Sequence, residues 1–349
     1  MMRQLPRHTT IFLLVLMAAG SIWFAGCGDG TEDSPDRKTS AHYLDPPALA
    51  SGGFPTAEDG VPVFCYHYFR SGFNVAYLMK VLGSVLLGMP ALGPREFWTT
   101  PIGEFEKHLR YFRDTGTVVM TLDEVADLIE SGQDLPDRAV ILTIDDADRS
   151  VYELAFPMLR KYGMRAHLFV PTAKVGQPWS DLDVCTWEQL SEMEASGYIL
   201  VGSHTRDLHF KVEVDGDLEP VFFHPDQVPE TARLRNLKDL ARLVRTGAPA
   251  DIPKNLDGIL SGPFAAVAAD LVASRADLMA GAAAEATWLA WPYGFASDEL
   301  DSLSRAAGFR GTVSLNPVAF STRDTTLHVG RFALTAKSTL GHIANVYPR

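Results

Sequence analysis

Residues Ala139 to Asp146 read AVILTIDD, a six-residue apolar run closed by two adjacent carboxylates. A short, β-branched run of this kind predicts a strand buried on both faces, as in a parallel sheet covered by helices. Two carboxylates at its end need a cation, donors or water, because an uncompensated buried charge is expensive. The plainer reading is a solvated turn opening the next helix, with an Asp as N-cap.

Working outward, strands and helices alternate. Val61 to Cys65 is a short apolar run leading into Tyr66-His67. Helical spacing covers Glu104 to Asp114, Leu122 to Glu130, Val151 to Tyr162, Trp187 to Ala195, Phe264 to Met279 and Asp298 to Ala307. Several of these runs stop at a glycine: Gly132, Gly163, Gly197 and Gly308. Further strands are expected at Ala166 to Val170, Ile199 to Val201, Thr287 to Trp291 and Gly311 to Leu315. Apolar strands separated by helices imply parallel βαβ units. The expected class is α/β: one irregular (β/α) barrel of about seven parallel strands in a single domain, with chemistry at the strand C-terminal ends. Two segments interrupt the rhythm. Residues 72–94 read as a packed insertion or a lip beside a groove, and 210–257 as an elaborated loop.

Composition sets outer limits. The 349 residues are 46% hydrophobic and 21% charged, enough to bury a core. Lys plus Arg number 31 against 43 Asp plus Glu, a net charge of −12, which excludes a basic nucleic-acid-binding face. Three Cys exclude a disulfide scaffold and a four-thiolate zinc site. Cys65 and Cys185 are free or paired; spacing does not decide.

Three further strand ends carry chemical groups. Gly202 to His209 reads GSHTRDLH, with His204 and His209 five residues apart. On an ideal helix that spacing turns side chains about 140° from each other, so the two meet only if the backbone between them is irregular. Trp288 to Gly294 reads WLAWPYG, where Pro292 and Gly294 force a turn. Tyr66-His67 adds another ionisable group. Barrel strand ends share one mouth. Two neutral imidazoles and one carboxylate there make a facial site for a divalent metal with open positions, and the spare carboxylate can serve as a general base.

In order, these motifs resemble the polysaccharide deacetylases of carbohydrate esterase family 4, from about Val61 to about Phe332. TIDD is similar to the family's first motif and GSHTRDLH to its second. The His spacing, Tyr66-His67 and Trp291-Pro-Tyr-Gly294 resemble the poly-β-1,6-N-acetylglucosamine deacetylase branch. Supporting runs are Thr186-Trp187, Asp270-Leu271 and Gly308-Phe309-Arg310. The resemblance implies a single catalytic domain over 60–349 and one divalent metal ion: zinc, with cobalt, nickel or iron as alternatives. It implies Asp146, His204 and His209 as metal ligands, Asp145 as catalytic base and the Tyr293 backbone N–H as oxyanion donor. His67 is the candidate general acid and His328 its competitor. Arg331 stands where relatives carry an Arg near the last strand, in reach of the base. The implied activity is hydrolysis of acetyl groups on a cell-surface or extracellular N-acetylated polysaccharide. Two departures stand out. Ala147 replaces a Gly that often adopts a backbone conformation Ala disfavours, and Asp148 adds charge near the metal. The alternatives are a catalytically weak or inactive glycan-binding lipoprotein and, on the donor set alone, a non-haem iron oxygenase.

The N-terminus reads as an address. Arg3 and Arg7 precede an apolar stretch, Ile11 to Phe24, and then Ala25-Gly26-Cys27. This is the layout of a secretory signal over residues 1–26, and Cys27 resembles the lipidated residue of a bacterial lipoprotein. Residues 27–59, polar and Gly/Pro-rich, read as a flexible tether. The expectation is an exported lipoprotein of the cell envelope, membrane-attached through Cys27, and on the periplasmic side of the outer membrane in a Gram-negative host.

Overall fold

The computed structural model describes residues 60–72, 94–230, 255–322 and 327–346, with Ala232 and Lys238 besides. These all lie in one compact unit, Ser40–Arg349. The expected signal peptide and tether, most of the 72–94 insertion and the middle of 210–257 fall outside the described residues. Among the described residues no helix is long and apolar enough to cross a membrane.

In chain order the described strands are β1 (Val63–Tyr66), β2 (Tyr68–Arg70), β3 (Thr99–Pro101), β4 (Val118–Met120), β5 (Ala139–Ile144), β6 (Ala166–Val170), β7 (Pro178–Trp179) and β8 (Leu182–Asp183). There follow β9 (Ile199–Ser203), β10 (Lys211–Val214), β11 (Asp217–Pro220), β12 (Trp288–Ala290), β13 (Gly311–Val313), β14 (His328–Val329) and β15 (Phe332–Ala333). The main sheet runs β14-β13-β12-β9-β6-β5-β1-β15, with β4 beside the start of β5, and every pairing in it is parallel.

Only Gly330 and Arg331 separate β14 from β15. Residues 328–333 thus form one stretch that pairs with β13 at its start and β1 at its end. The sheet curls until one piece of chain carries both its edges. Counted once, that piece makes eight strands rather than the expected seven or so, and β4 and the 328–333 stretch itself are the two that the apolar runs do not include. The three residues of β4 are too few to show an alternation, and Val118 is largely exposed.

Strand alternation then decides what points inward. Val140, Leu142 and Ile144 pack outward with Phe105, Leu109, Leu159 and Leu190 from the surrounding helices. Ala139 and Ile141 face inward with Val63, Phe169, Trp288, Val313 and Val329. Period two puts Thr143 and Asp145 on the same inner line. The outer helices begin where local chemistry starts them. Thr121 with Glu124, and Thr186 with Gln189, form capping boxes for Leu122–Glu130 and Trp187–Ala195.

Two readings need correction. The run from Val151 to Tyr162 is not uniform: Val151–Ala155 is a π turn, and the α-helix proper is Phe156–Tyr162. Pro157 has no N–H for the carbonyl four residues back, which loosens this start. Residues 211–220 are not loop but an antiparallel hairpin, β10–β11. It turns through Asp215 (φ 52°) and Gly216 (φ 91°), an Asp-Gly pair suited to this turn.

Gly330 sits where the chain crosses between the sheet's edges. A Cβ there would lie 2.3 Å from the Asn316 carbonyl oxygen. Gly330→Ala is therefore expected to destabilise the fold by about 1–3 kcal/mol through overpacking. Denaturant unfolding checks this, and a variant as stable as the parent would contradict the seam's tightness.

Candidate active site

Adjacent residues on a strand face opposite ways, so Asp145 and Asp146 would normally diverge. They do not, because β5 ends at Ile144 and the chain turns left-handed at once: φ is 69° at Asp146 and 52° at Ala147. Left-handed backbone costs a non-glycine residue about 1–2 kcal/mol. Ala147 thus adopts the conformation a glycine would take freely. It is fully buried, and its carbonyl accepts the Cys185 N–H at 2.9 Å.

Asp145 is held from the seam. Arg331 Nη1 lies 2.7 Å from Oδ1 and Nη2 2.8 Å from Oδ2, a two-pronged pair. Arg331 is itself wholly buried, and also donates to the Ser314 carbonyl (3.1 Å) and Thr143 Oγ1 (3.2 Å). Burial pushes the Asp145 carboxyl toward neutrality. The Arg331 guanidinium outweighs that and holds it well below the usual carboxylate range. The Cys65 thiol completes the grip at 3.5 Å from Oδ2. Cys65 and Cys185 are both free and buried.

Asp146, His204 and His209 converge. His204 Nε2 is 3.5 Å and His209 Nε2 3.6 Å from Asp146 Oδ1. The His204 Nδ1 lies 2.8 Å from the Ala290 carbonyl, so it carries the ring proton and leaves Nε2 as a lone pair. Burial pulls both histidines down to about 4, so they are neutral near pH 7. Asp146 Oδ2 accepts the Tyr68 hydroxyl at 2.5 Å, while the buried Oδ1 has no hydrogen-bond partner.

His204 Nε2 and Asp146 Oδ1 therefore face each other as bare acceptors, with Nε2 of the neutral His209 beside them, an arrangement that is unfavourable unless a cation lies between. Ligands about 2.1 Å from one tetrahedral centre stand about 3.4 Å apart, close to the spacing here. The donor set fits a divalent metal.

The five-residue His spacing works because the intervening backbone is not helical. Thr205 has φ 64°, and the buried Asp270 takes the Arg206 and Asp207 N–H groups at 2.7 and 3.0 Å. The imidazole rings end 4.9 Å apart.

Tyr293 is also left-handed (φ 62°), and its ring lies 4.5 Å from that of His209. His67 continues the inward line of Val63 and Cys65, and is grouped with Cys65 and Asp145 within 4.8 Å. Its ring stacks on Trp98 at 4.5 Å, and its buried Nδ1 has no partner. Burial lowers its pKa, and the two Asp carboxylates oppose that. His328 points the other way. Its neighbour Val329 faces the barrel interior, and His328 Nδ1 lies 2.7 Å from Asp301 on the outer helix Asp298–Ala306. The added charge of Asp148 is compensated by Arg95 at 3.1 Å and the Ser150 N–H at 3.0 Å.

Sequence reasoning missed Tyr68 and the aromatic frame of Trp98 and Trp179, the latter 4.8 Å from His209. Tyr68 follows His67 directly, but nothing in the sequence says that it reaches a residue 78 positions away.

Residues 132–312, just over half the chain, match the family model for polysaccharide deacetylase. The chain belongs to the polysaccharide deacetylase family. Among curated relatives, the poly-β-1,6-N-acetyl-D-glucosamine N-deacetylase of Staphylococcus aureus (strain N315) is 33% identical over 107 residues, and that of Staphylococcus epidermidis is 34% identical over 107 residues. Each match takes in 30% of this chain and only 37% of the relative's length. IcaB from Ammonifex degensii superposes with a TM-score of 0.59 at 27% identity, covering 84% of this chain and 98% of that one. The Streptococcus pyogenes deacetylase PplD, solved with acetate, shares the fold at 16% identity and a TM-score of 0.55, covering 84% of this chain and all of that one. The barrel expected from sequence is this deacetylase family's fold.

Arg331→Met would leave the Asp145 carboxylate buried without a charged partner. The expected loss of stability is about 3–5 kcal/mol. Urea unfolding at neutral pH measures it, and a change under 1 kcal/mol would show that the pair is not what holds Asp145.

Proposed function

We propose that this chain is a metal-dependent hydrolase that removes N-acetyl groups from a β-1,6-linked N-acetylglucosamine polysaccharide. One observation carries the reading: the orphaned Asp146 Oδ1 facing the Nε2 atoms of two neutral imidazoles, beside a second carboxylate locked by an arginine. The names of the most similar relatives support the substrate class.

Asp146, His204 and His209 hold one divalent cation, with zinc first among the candidates. When bound, the cation supplies Lewis acidity that makes a water more acidic and polarises an acetyl carbonyl. The remaining work falls to the protein's own groups. Arg331 keeps Asp145 charged and aimed, so Asp145 takes the proton of the attacking water. The Tyr293 N–H meets the negative charge that develops on the carbonyl oxygen. His67, walled by Trp98, gives a proton to the departing amine. The C–O bond forms and the C–N bond breaks, leaving acetate and a glucosamine amine. The plane of Trp98 and the edge of Trp179 offer faces for sugar rings, and the chain's net charge of −12 favours a polymer that turns cationic as it is deacetylated.

Arg3, Arg7, the apolar stretch from Ile11 to Phe24 and Cys27 support export and lipid anchoring at the cell envelope. This would place the enzyme beside a secreted polymer.

Acetate release from acetylated β-1,6-glucosamine oligomers tests the proposal. The activity should vanish with a strong chelator and return with added zinc, cobalt or nickel. Asp146→Ala should lose both metal and activity. Asp145→Asn should keep the metal and lose at least about 100-fold in rate. Full activity after chelation, or a near-parent rate in Asp145→Asn, would contradict the reading.

A further inference from the structure

We infer that Asp270, on the long helix Ala265–Ala282, is a positioning residue for the metal: its buried carboxylate shapes the turn that brings His204 and His209 together. The inference rests on the metal-site reading above and extends it to a residue that touches neither metal nor substrate.

The ligands flank a four-residue segment, Thr205 to Leu208, that has to reverse the natural divergence of side chains five positions apart. Thr205 adopts φ 64°, and this bend leaves the next two N–H groups pointing inward, away from water. Both donate to Asp270, Arg206 N–H to Oδ1 at 2.7 Å and Asp207 N–H to Oδ2 at 3.0 Å. Asp270 has no solvent exposure. A buried carboxylate is a costly way to fill space, and an apolar residue would pack there more cheaply. What an apolar residue cannot do is accept two converging N–H groups. The turn is braced from outside as well. Arg206 Nε contacts Asp277, two turns further along the same face of the helix, and the Thr205 and Arg206 carbonyls accept the Thr172 and Ala173 N–H groups. These outer contacts position the segment. Ser203 Oγ takes the Thr205 N–H and Thr205 Oγ1 the Leu208 N–H at the two ends of the segment, and Asp270 takes the two N–H groups in its middle, between the ligand positions.

Asp270→Asn keeps the shape but replaces one accepting oxygen with an NH2 donor, so one backbone N–H faces a donor. The metal-free variant should fold, as judged by circular dichroism and thermal denaturation. Its dissociation constant for zinc or cobalt, measured by chelator competition, should rise about 10–100-fold. The cobalt absorption spectrum should shift as the imidazoles splay. Asp270→Glu keeps both acceptors but displaces them, and gives the same readout if the Asn variant does not fold. A residue with a merely structural role would lower the denaturation temperature and leave the metal affinity of folded protein unchanged. A folded variant that binds metal within twofold of the parent overturns the inference. If the parent itself takes up no divalent metal, the proposed function fails instead, so the two failures are distinguishable.

Discussion

A buried arginine holding a buried aspartate governs this structure. Arg331 lies in the two-residue gap between β14 and β15, and Asp145 lies at the end of β5, across the barrel's interior. Each charge would be prohibitive there alone. Together, with Thr143, Ser314 and Cys65 satisfying their remaining groups, they join the seam of the sheet to the mouth of the site. The same contact divides labour between two neighbouring carboxylates. Asp145 has both oxygens paired with a guanidinium, whereas Asp146 keeps one oxygen unpaired. Two chemically identical side chains acquire different surroundings from their partners alone.

The site is otherwise assembled from departures from regular structure. Asp146, Ala147, Thr205 and Tyr293 all have positive φ, and all lie at C-terminal ends of central strands. Each departure redirects a group that regular geometry would aim elsewhere: the second carboxylate, the second imidazole, a backbone N–H. The rigid strands fix where the chain leaves the sheet, and the left-handed residues fix how it turns. Hydrogen bonds from neighbouring elements, such as Asp270 to the 206–207 amides and Tyr68 to Asp146, hold those turns in place.

Much of this was legible in the chain. Ala139–Ile144 and Ala166–Val170 are strands with the ends their apolar runs suggest, and Trp187–Ala195 is a helix between a capping Thr and a Gly. The carboxylate pair and the two histidines were visible as strand-end groups because barrel strands share one mouth. Other features were hidden for physical reasons. β14 and β15 have two residues each, too few for any periodicity, and Tyr68 reveals its role only through a contact in space. The β10–β11 hairpin is a different case. Asp215-Gly216 between alternating residues was a readable turn signal, masked by the charged surroundings that suggested loop. His67 and His328 could not be ranked from sequence, since each is a lone histidine near a strand. Strand alternation separates them: one follows the inward line of Val63, and the other lies opposite the inward Val329.

The most direct test is a crystal structure of metal-loaded protein with anomalous data at the metal edge. The account predicts one ion bound by Nε2 of His204, Nε2 of His209 and a carboxylate oxygen of Asp146, with Asp145 still paired to Arg331. An ion ligated by Asp145, or one bound away from both imidazoles, would contradict it.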